Sequence, residues 1–209
     1  MAFTTYVDLK TAVSRWVGGG DDATVTGLGI SSTIDDLITV AENRIFRETR
    51  TKDTEAAFST AIASGVISVP SDYIATKFFY VDSSPTKVLE PKPVEWIYTN
   101  YPSRSSEGEP LYFAREGANF IFGPYPDSTY TIKGIYWKRL GAVSSSAHNL
   151  YTNNPDLYLF ACLAEAEILI GKDSRIPLWE AKYKKILSDV NGMSQVAEYS
   201  GASLRMRLA

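Results

Sequence analysis

The chain has 209 residues and a formal net charge of −3, with 44% hydrophobic and 22% charged residues. This composition is typical of a globular protein with a buried core and excludes a disordered chain. The near balance of charge argues against a protein that grips nucleic-acid phosphates, because such proteins usually display an excess of Lys and Arg. A mildly acidic surface of mixed charge would let DNA pass without binding it.

The first predicted helix covers residues 6–17. Apolar side chains recur there at helical intervals, and Thr5 and Asp8 have the spacing of a capping box. Three glycines at positions 18–20 end the helix. They are interpreted as a flexible connector and not as a phosphate-binding loop, since no lysine followed by Ser or Thr comes after them.

A second helix is predicted from Ser32 or Thr33 to about residue 50. One face is apolar, and the opposite flank carries arginines together with acidic residues. Such a flank is either a solvated surface or a set of contacts with neighbouring subunits of an assembly. The candidates for inter-subunit contacts are Arg44, Arg47 and Arg50.

Between about residues 54 and 139 the hydrophobic pattern changes from helical to extended. Turn signals rich in Gly, Pro and Ser separate the extended segments, which favours a small antiparallel sheet or barrel. A short helix or turn is predicted at residues 94–101, bracketed by Pro93 and Pro102. The predicted strands are residues 55–62, 66–69, 73–82, 111–115, 119–122 and 130–138.

The strongest helical signals lie between residues 154 and 192. Asn154 is placed to cap the first of two helices, Pro155 suits its first position and Gly171 can end it. This helix is apolar nearly all round, so protein or partners must enclose it, yet it is too short and interrupted to span a membrane. The second helix, at about residues 175–191, has one apolar stripe and is predicted to be its antiparallel neighbour.

Residues 193–209 have no clear amphipathic stripe. Their last part alternates apolar side chains with arginines, and a period of two indicates a strand without a partner in its own chain. The alternatives are a frayed terminus and an arm that adds itself to another subunit. The residues that would carry such an arm are Tyr199, Leu204, Arg205, Met206, Arg207 and Leu208.

No motif of an enzyme, a metal site or a cofactor site is present in the sequence. Cys162 is the only cysteine and falls on the apolar helix, where a thiol behaves as a small hydrophobe. His148 is the only histidine; it follows several serines, but residues this close in a loop rarely form a catalytic triad. We therefore expect no catalytic residue, no metal and no cofactor.

The order of these pieces resembles the head-to-tail adaptor, or connector, proteins of tailed bacteriophages. The segments that carry the resemblance cover nearly the whole chain in the same order. They are a short N-terminal helix with Trp16, then LITVAENRIFRETRTKDTEAAF, VISVPSDYI, GEPLYFAREGANFIFGPYPDSTYTIKGIYW and NPDLYLFACLAEAEILIGKDSRIPLWEAKYKKIL.

The resemblance implies an α+β fold: an antiparallel bundle of four helices with an inserted small antiparallel β-sheet or barrel and an extended C-terminal arm. The expected boundaries are 1–53 and 150–192 for the bundle, 54–149 for the β-rich insertion and 193–209 for the arm.

As a function, the resemblance implies a structural protein of the virion neck, made in the cytoplasm of the bacterial host. It would form a dodecameric ring beneath the portal protein and bridge it to a tail or nozzle protein, while DNA passes through the channel without specific binding. No membrane is involved. The alternative is a tail-associated module that binds a glycan or a peptide through its aromatic β region, although core packing also explains aromatics inside strands.

Overall fold

The computed structural model describes residues 5–18, 31–102, 106–166 and 174–199. The chain divides into two compact units. The helical unit consists of Met1–Asp53 and Leu140–Ala209, and the β unit consists of Thr54–Arg139. Each unit has a hydrophobic core of its own.

The α-helices of the described residues are α1 (Tyr6–Gly18), α2 (Ser31–Glu48), α3 (Val94–Asn100), α4 (Asn149–Asn153), α5 (Pro155–Glu165) and α6 (Ile176–Tyr199). All except α3 belong to the helical unit. The start of α1 is the predicted capping box: the Thr5 N–H donates to Asp8 Oδ2 at 3.0 Å, and the Asp8 N–H donates to Thr5 Oγ1 at 3.2 Å.

Helix α5 forms the centre of the helical unit. Leu157, Tyr158, Ala161 and Cys162 on this helix have no exposed surface. The helix contacts α1, α2, α4 and α6, so the chain itself encloses the helix that the sequence marked as apolar nearly all round. Each large apolar side chain buried there contributes about 1.5–3 kcal/mol, which outweighs any difference in helix propensity.

The β unit contains one seven-stranded sheet, in the order β1-β7-β3-β4-β5-β6-β2. Its two end strands are consecutive in the chain and are joined by residues 63–65, so the sheet nearly closes into a barrel. The pairing of β4 with β5 is parallel and the others are antiparallel. The strands are β1 (Glu55–Ile62), β2 (Val66–Ser68), β3 (Tyr73–Val81), β4 (Lys87–Pro91), β5 (Tyr112–Glu116), β6 (Asn119–Gly123) and β7 (Tyr130–Lys138).

Aromatic rings fill the core of the β unit. Phe58, Phe79, Phe113 and Phe120 are buried and pack with ring centroids 4.8–6.2 Å apart. Gly134 on β7 lies directly beside β3, where a Cβ would overlap Phe79. A larger residue at this position would force the two central strands apart.

The predicted fold class is wrong in its architecture, although the chain is mixed α and β. The described residues hold six α-helices instead of a four-helix bundle, and the sheet is a nearly closed barrel of seven strands instead of a small antiparallel insertion. Helix α4 has five residues, too few for a periodic pattern to show. Strand β4 is absent from the predicted strands: it ends at Pro91, within a Pro-rich turn signal, and its pairing with β5 is parallel.

Two details at the helix ends also differ from prediction. Asn154 does not cap α5 with its side chain; instead its Nδ2 donates to the Leu150 carbonyl at 3.3 Å. Helix α6 continues through Gly192, where it was predicted to end, as far as Tyr199. Gly171 and the arm residues Leu204, Arg205, Met206, Arg207 and Leu208 lie outside the described residues.

Candidate interaction surfaces

Arg44 on α2 reaches carboxylates on three helices. Its Nη1 donates to Glu165 at 2.9 Å and its Nη2 donates to Glu180 at 2.6 Å. Its Nε lies 3.4 Å from Glu48 Oε1, and the guanidinium is 4.4 Å from the centroid of the Tyr183 ring. The Arg44 side chain is only 16% exposed, so this network is a partly buried junction of α2, α5 and α6.

The charges of this network act on each other. The hydrogen bond from Arg44 lowers the pKa of Glu180, and a second one from Lys184 adds to the effect. The Tyr183 hydroxyl donates to Glu48 Oε2 at 2.6 Å, and burial raises the pKa of this tyrosine. The Glu180 carboxylate is therefore held ionised beside the guanidinium at neutral pH.

Arg50 also uses its side chain within its own subunit. Its Nη1 donates to the carbonyls of Phe46 and Thr49 at 3.0 and 2.7 Å, which satisfies acceptors at the end of α2. Arg47, by contrast, is exposed. Within the residues that the structure describes, it forms no ion pair or hydrogen bond. Of the three candidate arginines, Arg47 thus presents its charge most openly to solvent.

Polar contacts connect the C-terminal half of α6 to the end of α2 and to the segment that follows it. Asn191 Oδ1 accepts from the Arg50 N–H at 3.2 Å, and Asn191 Nδ2 donates to the Glu48 carbonyl at 3.2 Å. Ser194 Oγ accepts from the Lys52 N–H, also at 3.2 Å. The last turns of α6 are therefore held against the end of α2 and the residues that follow it.

An apolar pair is exposed on these last turns. Met193 and Val196 are 72% and 71% exposed. They lie in the part of α6 that ends at Tyr199, within residues 193–209, which are predicted to form the arm. The pair is not among the predicted interaction residues, because the helix is predicted to end before Gly192, although the spacing of three residues between the two side chains is a helical signal.

His148 and Cys162 have structural environments. His148 Nδ1 accepts from the Tyr151 N–H at 3.3 Å and caps α4, while its Nε2 lies 3.3 Å from the Tyr158 hydroxyl. Burial raises the pKa of the Cys162 thiol, so it stays protonated. Within the described ranges, no three metal-binding side chains come together, and no helix is long and apolar enough to cross a membrane.

Comparison with known protein families identifies the family of this chain. The profile of the SU10 adaptor protein family matches residues 4–207, which is nearly the whole length. The chain belongs to the SU10 adaptor protein family. The resemblance to phage head-to-tail adaptors is thereby confirmed. No curated protein matches the chain.

Membership of this family defines the kind of protein in broad terms. SU10 adaptor proteins are a structural, non-enzymatic class, so the chain is a bacteriophage protein whose work is contact with other phage structural proteins in the virion. Contact with other proteins is made through exposed side chains. In the helical unit these include Arg47 and the apolar pair at the end of α6.

The Arg44 network predicts a pH dependence of stability. The pKa of Glu180 is lowered in the folded chain, so its contribution is complete above its ordinary value of 4.5 and is lost as the pH falls through the folded value. We expect Glu180→Gln to lose about 1–2 kcal/mol of unfolding free energy at pH 7 and to show a smaller further loss on acidification than wild type. Urea unfolding at pH 7 measures the loss of unfolding free energy in the variant. Comparison with unfolding at pH 3 measures the further loss on acidification.

Asp189→Asn is the matched control for Glu180→Gln. Asp189 is an exposed carboxylate on the same helix and forms no ion pair with the described residues. Its variant should follow the wild-type acid profile. Equal acid sensitivity of Glu180→Gln and wild type would show that Glu180 contributes no charge-dependent stability.

Proposed function

We propose that this SU10 adaptor protein is a head-to-tail adaptor that assembles as a ring beneath the portal protein, bridges the capsid to the tail or nozzle protein below, and forms part of the DNA channel. Family membership is the observation that carries the proposal. A ring of twelve copies follows the resemblance stated from the sequence. The net charge of −3 suits a channel wall that DNA passes without specific binding.

Ring formation requires a heterologous interface, in which one side of a subunit complements the opposite side of the next. Arg47 is the best candidate for the basic side, because Arg44 and Arg50 donate within their own subunit. In this proposal Arg44 and Arg50 border the contact that Arg47 makes. Acidic residues of the neighbouring β unit would supply the complementary charges.

The C-terminal arm is proposed to dock on the portal or on a neighbouring subunit. The exposed apolar pair of Met193 and Val196 supports this role, since both residues belong to the predicted arm and present unburied apolar surface at the end of α6. In the arm, Tyr199, Leu204, Arg205, Met206, Arg207 and Leu208 would make the contacts.

Deletion of residues 199–209 tests the arm and the adaptor function together. We expect the truncated chain to fold with an unchanged melting temperature but to lose association with the portal protein of its own virion, because the docking strand is gone. Size-exclusion chromatography of the mixture, followed by electron microscopy of the complex peak, measures association. The full-length chain should appear there as a ring on the portal.

The control replaces residues 200–209 with a Gly–Ser sequence of equal length. Like the truncated chain, this variant should not associate with the portal protein. Portal binding by the truncated chain would remove the docking role of the arm. A full-length chain that never associates with portal would contradict the adaptor function itself.

Charge reversal at Arg47 tests the inter-subunit contact. Arg47→Glu should leave the unfolding free energy within about 0.5 kcal/mol of wild type, because the side chain is exposed. It should nevertheless reduce the yield of complete rings on portal, since a like-charge contact would repeat at every interface. Counting complete rings in electron micrographs measures the effect.

Lys182→Glu is the matched control for Arg47→Glu, because it reverses an exposed charge on α6 of the same unit. It should leave ring yield unchanged. Equal ring yields for wild type and Arg47→Glu would exclude Arg47 from the interface.

A further inference from the structure

A groove opens inside the β unit where β4 leaves β3. The two strands pair only from Phe79↔Leu89 to Val81↔Lys87. Beyond this point β4 pairs with β5, at Glu90↔Tyr112 and Pro91↔Phe113. Residues 73–78 of β3 therefore have β7 on one side and no strand on the other within the described part of the chain.

The sequence explains why the strands separate. The N–H groups of Glu90 and Lys92 both donate to β5-side carbonyls, those of Leu111 and Phe113, at 2.9 Å. Because successive N–H groups of a strand point to opposite sides, residue 91 is the one that would donate toward β3. It is a proline and has no N–H. Register shifts in β3, between Tyr73 and Ala75 and between Thr76 and Phe78, bend that strand as well.

The separation leaves a cavity of about 420 Å³ between β3, β4 and β5. Two of the apolar side chains that line it, Phe78 and Val88, are 40% and 70% exposed. The exposed apolar surface thus lies beside a strand edge whose backbone groups have no partner strand. An added strand would cover both features at once.

The cavity is also cationic. Lys77, Lys92 and Arg115 line it, and no Asp or Glu does so. Lys77 and Lys92 have acidic partners outside the lining, Glu55 and Glu90, at 2.8 and 2.7 Å.

Arg115 differs from these lysines. Its guanidinium lies 5.0 Å from the centroid of the Tyr73 ring, and its Nε donates to the Gly117 carbonyl at 3.1 Å. Among the described residues, no carboxylate pairs with it. A guanidinium held in place in this way, with its terminal nitrogens directed to no acid, is suited to a carboxylate of a ligand.

We propose that this groove binds an extended acidic segment of another virion protein, which adds to the edge of β3 at residues 73–78 and places a carboxylate on Arg115. Backbone hydrogen bonds along the strand edge provide affinity, and the cations select acidic side chains. A sugar would leave the strand edge unpaired, and a nucleic acid offers no strand of alternating donors and acceptors. The proposal concerns the β unit alone and does not depend on ring formation.

Nuclear magnetic resonance of the full-length ¹⁵N-labelled chain tests this proposal. The probe is an acetylated and amidated octapeptide that alternates valine with aspartate and glutamate. We expect titration to shift the backbone amides of residues 73–78 and those around Arg115. The same peptide with every second backbone amide methylated should bind about tenfold more weakly or worse, because it cannot form the ladder of hydrogen bonds on one edge.

Variants at Arg115 test the proposed selectivity. Arg115→Gln should weaken peptide binding about tenfold, whereas Arg115→Lys, which keeps the charge, should recover most of it. Arg139→Gln, at an exposed arginine of the same unit that does not line the groove, should have no effect. The dispersion of the amide spectrum verifies that each variant is folded.

Several results would overturn the proposal. They are equal binding of the methylated and unmethylated peptides, undiminished binding by Arg115→Gln, and shifts confined to residues outside the groove. Shifts of the groove amides by a thymidine octanucleotide or a chitin oligosaccharide, with none from the acidic peptide, would assign the groove to a different class of ligand.

Discussion

The helical unit depends on one partly buried guanidinium. Arg44 hydrogen-bonds Glu165 and Glu180 and lies near Glu48, and these carboxylates belong to α5, α6 and α2. Any sufficiently apolar neighbours can bury helix α5. Hydrophobic burial alone therefore does not select one arrangement of the surrounding helices. A guanidinium with fixed directions for its donors does select one, because misplacing either α5 or α6 would leave a charge without its partner.

The β unit is organised by a different constraint, the closure of a sheet around aromatic rings. Phe79 and Phe120, at the centre of that core, have no exposed surface. Seven strands surround these rings, but Pro91 and the bulges in β3 prevent β4 from pairing with β3 along its whole length. The barrel is therefore interrupted at one place, and this interruption is where we propose that the segment of another virion protein is bound. A protein that acts through contacts needs such surfaces more than it needs a polar pocket, and the family to which the chain belongs is an adaptor family.

The sequence predicted the long periodic elements well and the short or non-local features poorly. Helices α1, α2 and α5 and the capping box at Thr5 follow from local spacing, so they could be read from neighbouring residues. Strand β4 could not, because Pro91 is a turn signal as well as a strand end, and α4 was too short to show a period. The Arg44 network joins residues 121 and 136 positions apart, which no local pattern reveals. Arg44 was identified as a candidate only as part of a charged flank, and its intramolecular partners became visible only in the folded chain.

The central claim is that Arg44 holds α5 and α6 in place through its acidic partners, which a double-mutant cycle measures directly. Arg44→Met, Glu180→Gln and the double variant are compared with wild type by urea unfolding at pH 7. A contact of this kind should give a coupling free energy of about 1–3 kcal/mol. Additive losses, with a coupling near zero, would contradict the claim and leave hydrophobic burial and the remaining polar contacts to position these helices.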